Sequence, residues 1–109
     1  MEIAFHTFDL RAVCESAEAA EAEFGPDIAR RLRSRLSDLR AAANVASLPV
    51  GSPFPFNELG SDYVSIRIGP AMNLIFQPNH PKLPLKNDGA TDWSQVFRLK
   101  LIRIEKHAQ

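Results

Sequence analysis

The chain has 109 residues, 45% of them hydrophobic, and 13 basic residues balance 13 acidic ones. That length predicts one domain, residues 1–109, with one small core. A single cysteine, Cys14, excludes an internal disulfide and suits a reduced, cytoplasmic setting; no apolar run approaches the ~20 residues that span a bilayer, and residues 1–10 lack the basic and apolar regions of a signal peptide.

The charge is zero in sum but not flat. Residues 1–27 hold seven acids against Arg11, a net of −6, and residues 28–109 hold twelve bases against six acids, a net of +6. An acidic helix neutralising a basic one accounts for part of this. The strand charges remain, and they point to an anionic partner.

Glu2 to His6 reads as a short strand, with Ile3 and Phe5 on one face. Thr7 predicts a helix N-cap, since its hydroxyl can accept from a free backbone N–H. Leu10, Val13, Cys14, Ala17 and Phe24 then follow one face of a single helix, with Glu15, Glu18 and Glu23 opposite. Gly25-Pro26 ends that helix and opens the next, Pro26 suiting the first helical position and Asp27 the positive end of the dipole. The second helix has an apolar stripe of Ile28, Leu32, Leu36, Leu39 and Ala43, while Arg30, Arg31, Arg33, Arg35 and Arg40 take much of the rest. The two helices predict an antiparallel hairpin packed on a sheet. A short turn is expected over Asn44 to Leu48.

Pro49 to Gly60 reads as irregular, with Phe54, Phe56 and Leu59 suited to a short edge strand. Tyr63 to Ile68 alternates strictly, Val64, Ile66 and Ile68 inward and Tyr63, Ser65 and Arg67 outward. Gly69-Pro70 predicts a turn and Met72 to Gln77 the returning strand. Pro78 to Trp93 predicts a long loop, and Val96 to Glu105 the last strand. In that strand Phe97, Leu99 and Leu101 hold one apolar phase, and Ile102 and Ile104 then break it. Either a β-bulge near Leu101-Ile102 or burial of both faces would explain the break.

Strand, two helices, then three or four antiparallel strands is an α+β order. With Ser65-Ile66-Arg67-Ile68, then Leu74-Ile75-Phe76, and the closing Val96, Leu99-Lys100-Leu101 and Ile104, the chain resembles the RelE/ParE toxin superfamily. It is most similar to the HigB-like branch, the plasmid maintenance system killer proteins, over residues 1–77 and 93–107, with 78–92 as an insertion. The resemblance implies an antiparallel helix hairpin on a small, mostly antiparallel sheet of four or five strands. It implies the toxin of a type II toxin–antitoxin system: a metal-independent, ribosome-dependent mRNA endonuclease with no cofactor. The implied partners are a cognate helix-turn-helix, HigA-like antitoxin, the ribosome and mRNA, with operator DNA reached only through the antitoxin and no membrane. ParE members of the superfamily instead inhibit gyrase. A non-catalytic toxin fold, either a gyrase inhibitor or an attenuated antitoxin-binding partner, is the alternative.

Metal-free RNA cleavage uses the neighbouring 2′-hydroxyl as nucleophile. It needs a proton acceptor, a proton donor for the leaving 5′-oxygen, and cations for the charge gained on phosphorus. Arg67 matches the strand arginine of the family and is the expected phosphate contact, because a guanidinium fork fits phosphate oxygens. His107 is the expected proton-transfer group. Lys100, Arg103 and Lys106 are expected to add positive charge, and Tyr63 to stack on a base. The branch typically ends Asp-Tyr-His, where this chain has Lys106, His107 and Ala108; Asn73 stands where the family often has an arginine. Those departures keep the non-catalytic alternative open. His6 and His80 lack metal-site spacing, and Cys14 is expected in the core rather than as a nucleophile.

Overall fold

A computed structural model describes residues 1–48, 63–70 and 72–106, and the backbone alone of 54–56. Leu59 and His107, both named from the sequence, lie outside the described residues. The elements are β1 (Glu2–Phe5), α1 (Phe8–Glu15), α2 (Ala17–Phe24), α3 (Pro26–Ala41), β2 (Phe54–Phe56), β3 (Tyr63–Gly69), β4 (Met72–Pro78) and β5 (Arg98–Lys106). Single 3-10 turns cover Val45–Ser47 and Trp93–Gln95. The class is α+β, as expected.

Thr7 opens the helical layer: the Leu10 N–H donates to its Oγ1 at 3.1 Å. The sequence predicts one helix from there to Phe24, but the structure has two. Ser16 is the cause. Its backbone is extended (φ −115°, ψ 116°), its hydroxyl accepts the Ala19 N–H at 3.2 Å, and so it caps α2 as α1 ends. Serine offers the backbone a local partner that competes with the helical ladder, and the apolar spacing carries no trace of this. Gly25 then takes φ 86°, a conformation that suits glycine, and Pro26 starts α3 at its first position.

α3 buries Ala29, Leu32, Leu36 and Leu39 against the sheet. Ala43, expected to continue this stripe, is exposed beyond the helix. The helix stops at Ala41, and the Met1 ammonium donates to the carbonyls of Leu39, Arg40 and Ala42 at 3.1, 2.8 and 2.6 Å. A positive charge on the orphan carbonyls at a helix C-terminus is favourable.

The sheet has five strands in the order β1-β5-β4-β3-β2. β1 runs parallel to β5, and every other pair is antiparallel. Its inner face carries Val64, Ile66, Ile68, Leu74, Phe76, Leu99 and Leu101, each at most 2% exposed, against the leucines of α3. The expected edge strand exists as β2, paired to β3.

The phase break in β5 is a β-bulge. Phe76 pairs with Leu101 and Ile75 with Arg103, so Ile102 has no opposite number. Without that extra residue the alternation of Leu99 and Leu101 would turn Arg103 and Glu105 into the core. With it, Ile104 packs inward and the two charges face out.

Phe97 does not share the phase of Leu99. β5 starts one residue later, at Arg98, Val96 is fully buried, and Phe97 is 45% exposed beside His80. The 78–92 excursion is also more ordered than a plain loop. Leu85 and Thr91 form an antiparallel bridge, closed by a turn in which Gly89 has φ 86°. Trp93 packs against the core.

Phe76 lies fully buried between Val64 and Leu101 in register. Phe76→Ala is expected to cost about 3–5 kcal/mol, read as a lower urea midpoint with an unchanged m-value.

Candidate functional site

The bulge arranges the outer face of the sheet. Arg67, Asn73 and Glu105 form one cross-strand row over β3, β4 and β5, and Ser65, Ile75 and Arg103 form the next. Lys100 stands opposite Gln77 farther along the same face. Tyr63 alternates onto it too and is half-buried. The structure thus brings Arg67, Asn73, Arg103, Lys100 and Tyr63 to one surface.

Lys106 is not among them. It pairs with the buried Met72 and so falls on the helix side of the sheet. There it shares the wall of an apolar groove with Leu10, Phe24 and Ile104, and with the acids Asp9 and Glu23. Alternation past the bulge puts Lys106 on the opposite face from Glu105, although Arg103 also reaches the edge of this groove.

Several of these groups already have partners. Arg67 donates from Nε to the Gly69 carbonyl at 3.1 Å and from Nη2 to the Pro70 carbonyl at 3.0 Å, clamping the β3–β4 turn. Arg103 Nε meets Glu105 Oε1 at 2.5 Å. Arg98 pairs with Glu2 at 2.6 Å and lies 5.3 Å from the Phe97 ring centroid. Lys100 has no ion pair among the described residues. Asn73 Oδ1 is buried with no hydrogen-bond partner among the described residues. A lone buried acceptor costs roughly 1–3 kcal/mol, so this position is a weak point of the face. The face therefore supplies cationic donors, and its one carboxylate beside Arg67, Glu105, is held by Arg103.

A second feature lies around the turn from Arg67. Arg31, Ser34 and Arg35 of α3 face Arg67, Ile68, Gly69 and Pro70 across an open cleft of about 790 Å³. Arg35 ties the two walls together: its Nε donates to the Arg67 carbonyl at 3.4 Å, while its Nη1 meets Asp38 Oδ2 at 3.4 Å. Gly69 lies close under α3: a Cβ added there would lie 2.8 Å from Ile28 Cδ1. Sequence reasoning placed Arg31 and Arg35 only on the solvent side of a helix. Their four-residue spacing was visible, but not the strand they would meet.

Among the described residues no group of three His, Cys, Asp or Glu could hold a metal ion, and no helix is long and apolar enough to cross a membrane. Cys14 is buried, as expected, and burial pushes its thiol up to about 11, far from a working nucleophile. Comparison with protein-family models, with curated proteins and with solved structures gives no significant match.

His80 sits in the excursion, with its ring edge-to-face on Phe97 at 4.6 Å between centroids. The Phe97 N–H donates to its Nε2 at 3.2 Å, a contact that requires an unprotonated nitrogen. Burial, with the Arg98 guanidinium adding to it, holds this imidazole below its ordinary value of 6.5. The unfolded chain therefore binds the proton more readily than the folded one. The contribution of His80 is complete above about pH 6.5 and declines as pH falls from there through the lowered folded value. The urea midpoint should drop between pH 7.5 and pH 5, and His80→Gln, which keeps an acceptor but does not titrate, should show a smaller drop.

Proposed function

We propose that this chain is the toxin of a type II toxin–antitoxin pair, of the RelE/ParE kind and HigB-like, and that it cuts mRNA on the ribosome without a metal. The order of elements and the Ser65-Ile66-Arg67-Ile68 strand support the kinship. One observation carries the functional reading. Arg67, Asn73 and Glu105 stand in a single row, so Arg67 and the end of β5 share one end of the sheet. Two strand steps separate them, about 10 Å, a span that a nucleotide can bridge. His107 follows β5 directly in the chain.

In this mechanism Arg67 exchanges its turn carbonyls for phosphate oxygens. A charge-assisted bond to phosphate is stronger than one to a neutral carbonyl, so the exchange is favourable. His107 moves the proton between the 2′-hydroxyl and the leaving oxygen. Arg103 and Lys100 extend the positive track, and Tyr63 offers a stacking surface. A helix-turn-helix antitoxin from the adjoining reading frame is the partner, and operator DNA is reached through it. The work is cytoplasmic.

A second reading has its own observation. The Arg67 guanidinium is held by Gly69 and Pro70, and Asn73 brings no charge to the row. A clamp of this kind suits a non-catalytic toxin fold, a gyrase inhibitor of the ParE kind or an attenuated antitoxin partner.

Expression without the antitoxin should arrest growth and shorten cellular transcripts. His107→Ala and Arg67→Ala should each lower the cleavage rate by at least about tenfold, as expected for loss of a proton-transfer group or a transition-state cation. Arrest with intact transcripts and loss of supercoiling would select the gyrase reading; unimpaired growth would sink the toxin assignment.

A further inference from the structure

We propose that the cleft between α3 and the β3–β4 turn is a seat for phosphate oxygens, with Arg31, Ser34 and Arg35 on one wall and Arg67 on the other. The proposal does not rest on RNA cleavage. Arg31, Ser34 and Arg35 have no part in that chemistry, and the seat binds phosphate whether or not the chain cuts.

Arg31 and Arg35 are one helical turn apart, so their Cβ atoms are about 5–6 Å from each other on one face. Arg67 reaches the same cleft from the end of β3. Arg31 and Arg35 thus line one wall and Arg67 the other, and the acid beside them is Asp38, which already meets Arg35. Like charges gathered in this way repel, and an anion between them relieves the repulsion.

The donors are in part uncommitted. Arg31 and Ser34 make no side-chain hydrogen bond or ion pair among the described residues. Arg35 is bonded through Nε and Nη1, which leaves Nη2; Arg67 is bonded through Nε and Nη2, which leaves Nη1. The Arg35 bonds also hold its guanidinium in place, so little of that side chain's freedom remains to be lost on binding. The Arg35 side chain is only 29% exposed, which weakens solvent screening of its charge.

Phosphate suits these donors better than a lone carboxylate. The free Arg31 fork matches two oxygens of a phosphate, and with the nitrogens left on Arg35 and Arg67 and the Ser34 hydroxyl the donors exceed the oxygens of one carboxylate. The cleft is open and, at about 790 Å³, larger than a single phosphate ion requires. A single-stranded backbone, with phosphates at regular intervals, can use Arg31 and Arg35 in succession.

The test measures binding alone. The probe is a fluorescent 2′-O-methyl oligouridylate, which keeps backbone phosphates but lacks the hydroxyl needed for cleavage, titrated over a series of salt concentrations. A parallel arm measures the thermal shift with inorganic phosphate. Arg31→Ala is exposed and unpartnered, so its fold is secure; Arg35→Ala is accompanied by Arg35→Lys, which keeps charge; Arg33→Ala, on α3 but outside the cleft, is the control. Arg31→Ala and Arg35→Ala should each weaken probe binding by about fivefold to tenfold, and each should lower the salt slope by about 0.7. Arg33→Ala should match the parent chain, and Arg35→Lys should fall between parent and alanine. If only the inorganic phosphate shift is lost in Arg31→Ala, the seat holds free phosphate rather than a strand, and the assignment as a phosphate site stands. If Arg31→Ala and Arg35→Ala equal the parent in affinity, salt slope and phosphate shift, the proposal is wrong. It is equally wrong if a polyglutamate peptide binds the parent chain more tightly than either phosphate probe.

Discussion

One inserted residue in β5 sets the terms for the rest of the molecule. β5 is paired on both sides, to β1 in parallel and to β4 in antiparallel fashion. A strand in that position cannot slip to suit its side chains. Its first half needs Leu99 and Leu101 inside, and its second half carries Arg103 and Glu105 at the same parity. Burial of those two charges would cost several kcal/mol even after they paired. The bulge at Ile102 removes the conflict by shifting the second half by one residue. The core keeps Ile104, and the outer face acquires Arg103 and Glu105 beside Asn73 and Arg67.

The β3–β4 turn does a related task at the sheet end. β3 also shifts register between Arg67 and Gly69. The Arg67 side chain folds back on the carbonyls of that turn, and its own carbonyl takes a bond from Arg35 of α3. One residue therefore links the outer face, the turn and the helical layer. The glycine beside it lets the turn come within contact of Ile28. The concentration of arginine around this junction is a consequence of packing. The residues come from α3 and β3, which lie 32 positions apart in the chain at the Arg35–Arg67 bond.

Much of the fold could be read without coordinates, because it depends on local chemistry. Thr7, Gly25 and Pro26 mark helix ends through hydrogen-bonding capacity and backbone freedom, which belong to the residues themselves. The apolar stripe of α3 and the alternation of β3 state which face is buried. The broken phase of β5 is a contradiction within one strand, and it was visible as such. Ser16 leaves no such mark, because a serine in a helical pattern is ambiguous until its hydroxyl finds a partner. Phe97 was misplaced for a similar reason: its phase matched the strand, but His80 and Arg98 hold it outside.

The sequence by itself determined the α+β class, the helix boundaries at Thr7 and Gly25-Pro26, the edge position of β2 and a break of phase near Ile102, which a bulge or burial of both faces would explain. Periodicity and backbone preference act over a few residues, so they survive in the sequence alone. Only the tertiary structure decided that Lys106 stands on the helix side, that Arg67 is bonded to its own turn, and that Arg31 and Arg35 face it across a cleft. Those facts depend on register and on the approach of elements distant in the chain, and no local pattern of side chains encodes either one.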